Sequence, residues 1–148
     1  MKANKNALIF STAAVILIID HITKFFVIHN FKDNESLPVI KNIFHLTFVT
    51  NSGTAFGLFR GINLFFILLS IAVAIILVYS IRKIKEKDKA MQFAVGLLLG
   101  GTLGNLMDRI VHGFVIDFLD FQVWPVFNIA DSAISIGVAI LIISVWRK

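Results

Sequence analysis

Four apolar segments, each close to twenty residues long, constrain this chain more than any other feature of its sequence. They are 7–28, 62–81, 90–110 and 128–146. A helix needs about 20 apolar residues to cross a hydrocarbon core about 30 Å thick, so each segment is long enough to be a transmembrane helix. The 148 residues are 57% hydrophobic, above the roughly 45–50% of soluble domains. We therefore expect one membrane-spanning domain, 1–148.

The first segment has an alternative interpretation as a cleaved signal peptide, because Lys2 and Lys5 precede its apolar run. No small-residue cleavage signature follows ILIIDHITKFF, and apolar residues resume after Lys24. We therefore interpret 7–28 as a retained span.

Lysine and arginine predict the orientation of the spans. They cluster in the amino-terminal tail, in the loop RKIKEKDK and at the carboxyl end, three places that four spans put on one side of the membrane. Cytoplasmic loops are enriched in these residues, so we expect both termini in the cytoplasm and the loops 30–61 and 111–127 outside. The net charge of +5 is then a topology signal, and we expect no nucleic-acid partner.

The first outer loop is predicted to form a small β structure. NIFHLTFVTNSGTAFGLF contains β-branched and aromatic residues in partial alternation around Ser52 and Gly53, a pattern typical of short strands joined by a turn. An isolated hairpin is marginal in water, so we expect this one to lie on the membrane surface. The predicted fold class is an all-α membrane protein with four transmembrane helices and a β-sheet cradle of residues 31–60 on the outer side.

The third span carries glycines at four-residue spacing, Gly96, Gly100 and Gly104, with Gly101 beside them. Such a stripe lies on one helix face and lets another transmembrane helix approach closely. We expect it to bring the polar groups of different spans near one another.

Several ionisable residues lie toward the predicted outer ends of the spans, or in the loop beside them. They are Asp20, Lys24, Asp108, Arg109, Asp117 and Asp131, of which Asp117 falls in the second outer loop. Charges at membrane depth are costly unless they are paired or hydrated. One shared polar site is the simplest explanation of their common depth.

Each of these residues also has a purely structural interpretation. Asp20 and Lys24 are four residues apart and can pair on one helix face. Asp108 and Arg109 can mark a helix end at the membrane interface, or Arg109 can hold a carboxylate through its forked donors.

The fourth span begins with a similar ambiguity. Asn128 can be the helix cap, and Asp131 can be a first-turn acid that the helix dipole favours. Asp117 can be an ordinary loop acid. We assign no role to Asp120 or to the four histidines, whose spacing fits no metal site.

The chemistry open to this chain is narrow. It has no cysteine, which excludes thiol nucleophiles and disulfides, and it lacks the metalloprotease, nucleophile-elbow and nucleotide-binding motifs. Two aspartates facing one cleft, Asp117 and Asp131, do form a competent set. Close carboxyls do not both ionise readily, so one stays protonated while the other acts as a base toward water that attacks a carbonyl.

Five motifs, in order, resemble those of the bacterial type II, or lipoprotein, signal peptidases: DHITK (20–24), TNSGTAFG (50–57), GNLMDR (104–109), GFVIDF (113–118) and FNIADSAI (127–134). The resemblance implies an aspartic intramembrane endopeptidase of the bacterial cytoplasmic membrane. Such enzymes act on prolipoproteins that already carry diacylglycerol on the lipobox cysteine, and they cut just before that cysteine. The resemblance implies no metal and no cofactor.

By motif, the resemblance implies that Asp117 and Asp131 are the catalytic residues. It implies that other polar positions shape the site and contact the substrate or the inhibitor globomycin, and we add a lysine and a glycine of the same motifs. This site-shaping set is Asp20, Lys24, Asn51, Gly53, Asn105, Asp108, Arg109 and Asn128. His21 stands where the family often has glutamine, which leaves both catalytic positions intact. The helix dipole favours Asp131 as the ionised base.

Two other functions fit parts of the sequence. A small proton-coupled transporter would use the membrane acids to bind a cation, but its site should lie near mid-bilayer, whereas Asp117 lies outside the spans. A non-enzymatic assembly subunit would use the glycines and charges only for packing. For the peptidase we expect prolipoprotein and membrane-lipid partners and a monomeric state.

Overall fold

The computed structural model describes residues 5–53 and 62–146. These residues form four α-helices, which are α1 (Lys5–Asn30), α2 (Ile62–Ser80), α3 (Lys89–Val111) and α4 (Ile129–Trp146). They also form three strands, which are β1 (Ser36–Ile40), β2 (Phe44–Asn51) and β3 (Val115–Asp120). The last part of the predicted cradle, 54–60, and the basic residues Lys2, Arg147 and Lys148 lie outside the described ranges.

All four helices are long and apolar enough to cross a membrane. With the small antiparallel sheet, they confirm the predicted fold class, and the protein is a multi-span membrane protein. Helix α3 is the central one, since 67% of its membrane-spanning window is buried inside the protein against 6% for α2. The other three helices pack around it, and the polar side chains of Gln92, Thr102 and Asp108 on α3 are buried inside the protein.

The glycine stripe explains how close this packing is. A Cβ on Gly96 would lie 2.7 Å from the Cβ of Thr12, and one on Gly100 would lie 2.7 Å from the carbonyl oxygen of Ala13. These two glycines therefore form the seam with α1. Gly101 points to α4 instead, where its Cβ would lie 2.5 Å from the carbonyl oxygen of Ala130.

Replacing Gly101 with alanine should lower the melting temperature of the purified protein in detergent. The added methyl group would meet the backbone of Ala130, which cannot rotate away, and overpacking of this kind costs about 1–3 kcal/mol. Ala139→Val, on an exposed position of α4, is the control and should leave the melting temperature nearly unchanged. Equal melting temperatures for the two variants would contradict the close contact between α3 and α4.

The sheet has the order β1-β2-β3, with both pairings antiparallel. Strand β3 lies within residues 111–127, which were predicted to be the second outer loop, so the prediction that confined the β structure to 31–60 and left Asp117 in a loop was wrong. Asp117 lies on β3 opposite Val49 of β2. The segment VIDFLD is buried at nearly every position, and a short buried run of this kind lacks the alternation by which a half-buried strand is recognised.

The sheet packs against the carboxyl-terminal end of α1. Val27 of α1 forms a buried apolar cluster with Phe48 of β2 and with Ile116 and Phe118 of β3. A backbone bridge between Leu119 and Phe127 then leads the chain from β3 into α4. Because of these contacts, β3 and the start of α4 are held side by side above the central helix.

Candidate active site

The start of α4 is organised by Asn128. Its side-chain oxygen accepts a hydrogen bond from the backbone N–H of Asp131 at 2.8 Å, and its own backbone N–H donates to Oδ2 of Asp131 at 3.3 Å. This reciprocal arrangement is a capping box. It fixes the carboxyl group of Asp131 in the first turn of the helix, where the helix dipole favours a negative charge.

The same asparagine also reaches the strand. Its Nδ2 donates to Oδ1 of Asp117 at 2.7 Å and to the carbonyl oxygen of Ile116 at 3.2 Å. Asn128 is fully buried, so one immobile side chain contacts both aspartates. The structure therefore brings Asp117 and Asp131, which are fourteen residues apart in the chain, to one place.

Asp117 is enclosed on its other side by β2. Nδ2 of Asn51 donates to Oδ2 of Asp117 at 2.9 Å, and the backbone N–H of Gly53 donates to Oδ1 of Asn51 at 3.0 Å. Gly53 has a φ of 76°, a conformation that glycine adopts without strain. This turn orients Asn51, and Asn51 with Asn128 occupies both oxygens of the Asp117 carboxyl group.

Burial raises the pKa of Asp117 from an ordinary value of 3.8 to about 7. The side chain is 1% exposed, and loss of water disfavours its charged form. The hydrogen bonds from Asn51 and Asn128 oppose the shift, whereas the nearby negative charge of Asp131 adds to it. A substantial fraction of the Asp117 carboxyl groups is therefore still protonated near neutral pH.

Asp131 faces a different environment. Nδ2 of Asn105 on α3 donates to its Oδ1 at 2.7 Å. The side chain is half-buried and lies at the edge of a cavity of about 450 Å³, whose lining includes Phe121, Trp124 and Phe127. This carboxyl group is thus fixed by protein on one side and open to an aromatic cavity on the other.

Beneath the aspartate pair lies a buried ion cluster centred on Lys24. Its Nζ lies 2.7 Å from Oδ2 of Asp20, 2.8 Å from Oδ2 of Asp108 and 3.1 Å from Oδ1 of Asn105. Lys24 is 2% exposed, and the two acids are 0% and 2% exposed. The pairing of Asp20 with Lys24 at i, i+4 that the sequence suggests is present, and Asp108 is a second partner.

The two acids of this cluster also hold neighbouring elements. Oδ1 of Asp20 accepts from the backbone N–H of Ala130 at 2.9 Å, and Oδ2 of Asp108 accepts from the backbone N–H of Ile116 at 3.1 Å. Ile116 and Ala130 each stand next to one of the paired aspartates in the chain. The cluster therefore fixes the backbones that carry the pair, while its own carboxyl groups have no access to solvent.

Arg109 lies near the pair without an ion pair in the described part of the chain. Its guanidinium is 4.7 Å from the centre of the Phe66 ring, and Asp117 and Asp131 are close enough to act on it electrostatically. Its Nη1 is buried and has no hydrogen-bond partner among residues 5–53 and 62–146. The predicted carboxylate contact of Arg109 is not seen within these ranges.

Sequence reasoning missed two residues of α2 that contact Arg109. Phe66 stacks under its guanidinium, and Nδ2 of Asn63 donates to its carbonyl oxygen at 3.1 Å. Asn63 is a polar residue at the start of the most apolar span, and this unusual position could have marked it as a candidate site residue. Nothing in the sequence marked Phe66, because phenylalanine is common in membrane helices.

Asp120, to which we assigned no role from the sequence, has a structural role. It accepts hydrogen bonds from Oγ1 of Thr47 at 2.7 Å and from the backbone and side-chain amides of Gln122 at 2.8 and 2.7 Å. These contacts close the end of β3. Among the described residues, no histidines and carboxylates are grouped as metal ligands would be.

Comparison with known proteins gives consistent matches along nearly the whole chain. The family model described as signal peptidase (SPase) II matches residues 12–147. The lipoprotein signal peptidase of Halothermothrix orenii is 41% identical, over 95% of this chain and 97% of that protein. The lipoprotein signal peptidase of Moorella thermoacetica is 46% identical, over 87% of this chain and 86% of that protein.

The fold has a close match as well. A solved structure of a bacterial membrane enzyme superimposes with a TM-score of 0.83 at 36% sequence identity. The superposition covers 93% of this chain and 91% of that one. The similarity of fold therefore extends over most of the chain.

Proposed function

The chain belongs to the signal peptidase II family, a family of proteases that remove signal peptides from prolipoproteins, and from this premise we propose that it does so as an aspartic endopeptidase with Asp117 and Asp131 as its catalytic pair. The single observation that carries this proposal is that Asn128 donates to both carboxyl groups, from its side-chain Nδ2 to Asp117 and from its backbone N–H to Asp131. A transporter is not favoured by these relatives.

The two aspartates have environments suited to opposite roles. Asp117 is buried and its pKa is raised to about 7, so it can hold a proton at neutral pH. Asp131 lies at a helix start and at the edge of a cavity, where it can act as a base toward water. Pairs of acids whose environments differ in this way divide acid and base work between them.

In the proposed reaction, Asp131 removes a proton from a water molecule while that water attacks the carbonyl carbon of the scissile peptide bond. Asp117 gives its proton to the carbonyl oxygen, which forms a neutral tetrahedral intermediate. The intermediate collapses as the C–N bond breaks, and the proton held by Asp131 passes to the leaving amine. The second hydroxyl proton of the intermediate returns to Asp117, so both carboxyl groups end in their initial states.

The predicted site-shaping residues take two kinds of position around this pair. Asn51, Asn105 and Asn128 donate directly to the carboxyl groups and fix their orientation. The others do not donate hydrogen bonds to the carboxyl groups. They belong to the buried ion cluster, form the turn that orients Asn51, or lie over the Phe66 ring near the pair. These are Asp20, Lys24, Asp108, Gly53 and Arg109.

The proposed substrate carries diacylglycerol on the cysteine that follows the cut. The cavity of about 450 Å³ beside Asp131 is lined by Phe121, Trp124 and Phe127, which suits an apolar group close to the scissile bond. The basic loop after α2 supports an orientation in the bacterial inner membrane that places both termini on the cytoplasmic side. The sheet and the aspartate pair then lie at the outer leaflet, where a lipid-anchored substrate and water meet.

A cleavage assay tests this function. Purified protein is mixed with a diacylglyceryl-modified prolipoprotein, and the products are analysed by mass spectrometry. We expect a mature fragment whose first residue is the lipidated cysteine, and far slower cleavage of the same substrate without the lipid. Cleavage at another bond, or equal rates with and without the lipid, would contradict the proposed substrate.

The raised pKa of Asp117 predicts how activity and stability depend on pH. Since the protonated form is the proposed acid, the cleavage rate should fall as the pH rises through about 7. The folded protein binds this proton more tightly than the unfolded chain does. The free energy of unfolding therefore decreases as the pH rises from 3.8, the ordinary pKa, to about 7, the pKa of Asp117 in the folded state. Melting temperatures in detergent over this range should therefore decline with pH.

Asp117→Asn isolates that contribution. It should remove part of the decline, so that the variant gains melting temperature relative to the unmodified protein as the pH rises from about 4 to about 8. Asp120→Asn, on the same strand, is the control. Parallel curves for Asp117→Asn and the unmodified protein would show that Asp117 titrates normally.

A further inference from the structure

A groove opens between α1 and α2 in the half of the bundle away from Asp117 and Asp131. It has a volume of about 650 Å³. Its walls include Phe10 and Leu17 of α1 and Ala74 and Tyr79 of α2, and α3 contributes Leu99. The groove does not reach the catalytic pair or the aromatic cavity beside Asp131, so the proposed reaction does not account for it.

The groove exists because of how α2 packs. This helix rests mainly on α3 and is only 6% buried over its membrane-spanning window. Small side chains at Ala13, Ala14 and Ala74 leave the space between α1 and α2 unfilled. Walls of this composition match a hydrocarbon chain, and in a membrane a lipid tail can enter between the two helices.

One end of the groove is strongly basic. Arg82 belongs to its lining, and its guanidinium lies 5.9 Å from the centre of the Tyr79 ring. Nζ of Lys83 lies 5.8 Å from the centre of the same ring. The loop RKIKEKDK that begins at Arg82 carries five basic and two acidic residues. Arg82 thus lies at the mouth of an apolar groove, at the predicted cytoplasmic surface, and Lys83 follows it in the chain and lies near the same Tyr79 ring.

We propose that this groove binds an anionic glycerophospholipid of the cytoplasmic leaflet, with an acyl chain between α1 and α2 and the phosphate at Arg82 and Lys83. Basic pockets between transmembrane helices on the cytoplasmic side bind anionic lipid headgroups. Apolar walls alone would accept any lipid, whereas the paired cations select a negative headgroup. A lipid in this position contacts both helices and holds α2 in place, and α2 carries the Asn63 and Phe66 that contact Arg109.

Native mass spectrometry of the purified full chain tests the proposal, because it counts bound lipids without any substrate. The protein in detergent is titrated with phosphatidylglycerol or with phosphatidylcholine that has the same acyl chains. We expect tighter binding of phosphatidylglycerol, by about fivefold for each basic residue that contacts the headgroup, which is the equivalent of about 1 kcal/mol per residue. Equal affinity for the two lipids would overturn the proposal.

Two pairs of variants locate the site. Arg82→Gln should weaken phosphatidylglycerol binding about fivefold, whereas Lys87→Gln, in the same loop and outside the groove, should change it little. Ala74→Trp fills the groove and should reduce binding of both lipids, whereas Ala139→Trp, on an exposed part of α4, should not.

The same loss from Arg82→Gln and Lys87→Gln would overturn the site in favour of a general surface charge. The same binding by the two tryptophan variants would overturn it in favour of ordinary annular lipid. Arg82 is exposed, so its variant decides the question even if Ala74→Trp does not fold. Cleavage of a prolipoprotein is a separate measurement, so failure here leaves the catalytic proposal intact.

Discussion

Replacing either Asp117 or Asp131 with asparagine will reduce prolipoprotein cleavage by about 100- to 10,000-fold, the contribution usual for a positioned acid or base. Asparagine keeps the shape of the side chain, but it can neither remove a proton from water nor supply one to the carbonyl oxygen. Because the two residues act as one unit, the double variant should be little worse than the poorer single variant. The measurement is the initial rate of cleavage of a lipidated prolipoprotein.

Asp120→Asn is the matched control for this experiment. It lies on the same strand as Asp117, but its carboxyl group bonds to Thr47 and Gln122 at the end of the sheet. Its cleavage rate should remain within a few-fold of normal. Near-normal cleavage by Asp117→Asn or by Asp131→Asn, with Asp120→Asn also active, would reject the catalytic assignment.

Replacing Lys24 with methionine should destabilise the fold more than any other single change considered. The ammonium group is the shared partner of Asp20 and Asp108, both of which are buried. Removing one partner from a buried ion network typically costs about 3–5 kcal/mol, because charges are left unpaired away from water. We expect a large fall in the melting temperature in detergent and a lower yield of folded protein.

Two comparisons make the effect of Lys24→Met interpretable. Lys32→Met removes an exposed lysine beyond the end of α1 and should leave the melting temperature nearly unchanged. Adding Asp20→Asn to Lys24→Met removes one of the two unpaired buried charges and should restore part of the lost stability. A melting temperature for Lys24→Met equal to that of Lys32→Met would show that the cluster contributes little.

The helices could be predicted because their signal is local and large. About 20 consecutive apolar residues leave few alternatives to a membrane-spanning helix, and α1 to α4 follow the four segments. The strand β3 could not be predicted in the same way, since its stability comes from pairing with β2 more than sixty residues earlier in the chain. A strand buried on both faces shows no alternation along its own sequence.

The contacts of the candidate site could be predicted only where both partners lie close together in the sequence. The pairing of Asp20 with Lys24 follows from their spacing on one helix. The second partner, Asp108, comes from another helix, and nothing in the local sequence specifies that contact. The role of Asn128 as a helix cap could be predicted from the sequence, but its hydrogen bond to Asp117 depends on where β3 lies. Motif resemblance named these residues, and the structure shows how they meet.

The most direct test of the account is an infrared titration of the Asp117 carboxyl group, taken as the difference between the unmodified protein and Asp117→Asn. We expect a protonated carboxyl band that disappears with a midpoint near 7. In Asp131→Asn the midpoint should move to lower pH, because a neighbouring negative charge has been removed. An ordinary midpoint near 3.8, or a midpoint that does not respond to the change at Asp131, would contradict the proposal that the two carboxyl groups act as a pair.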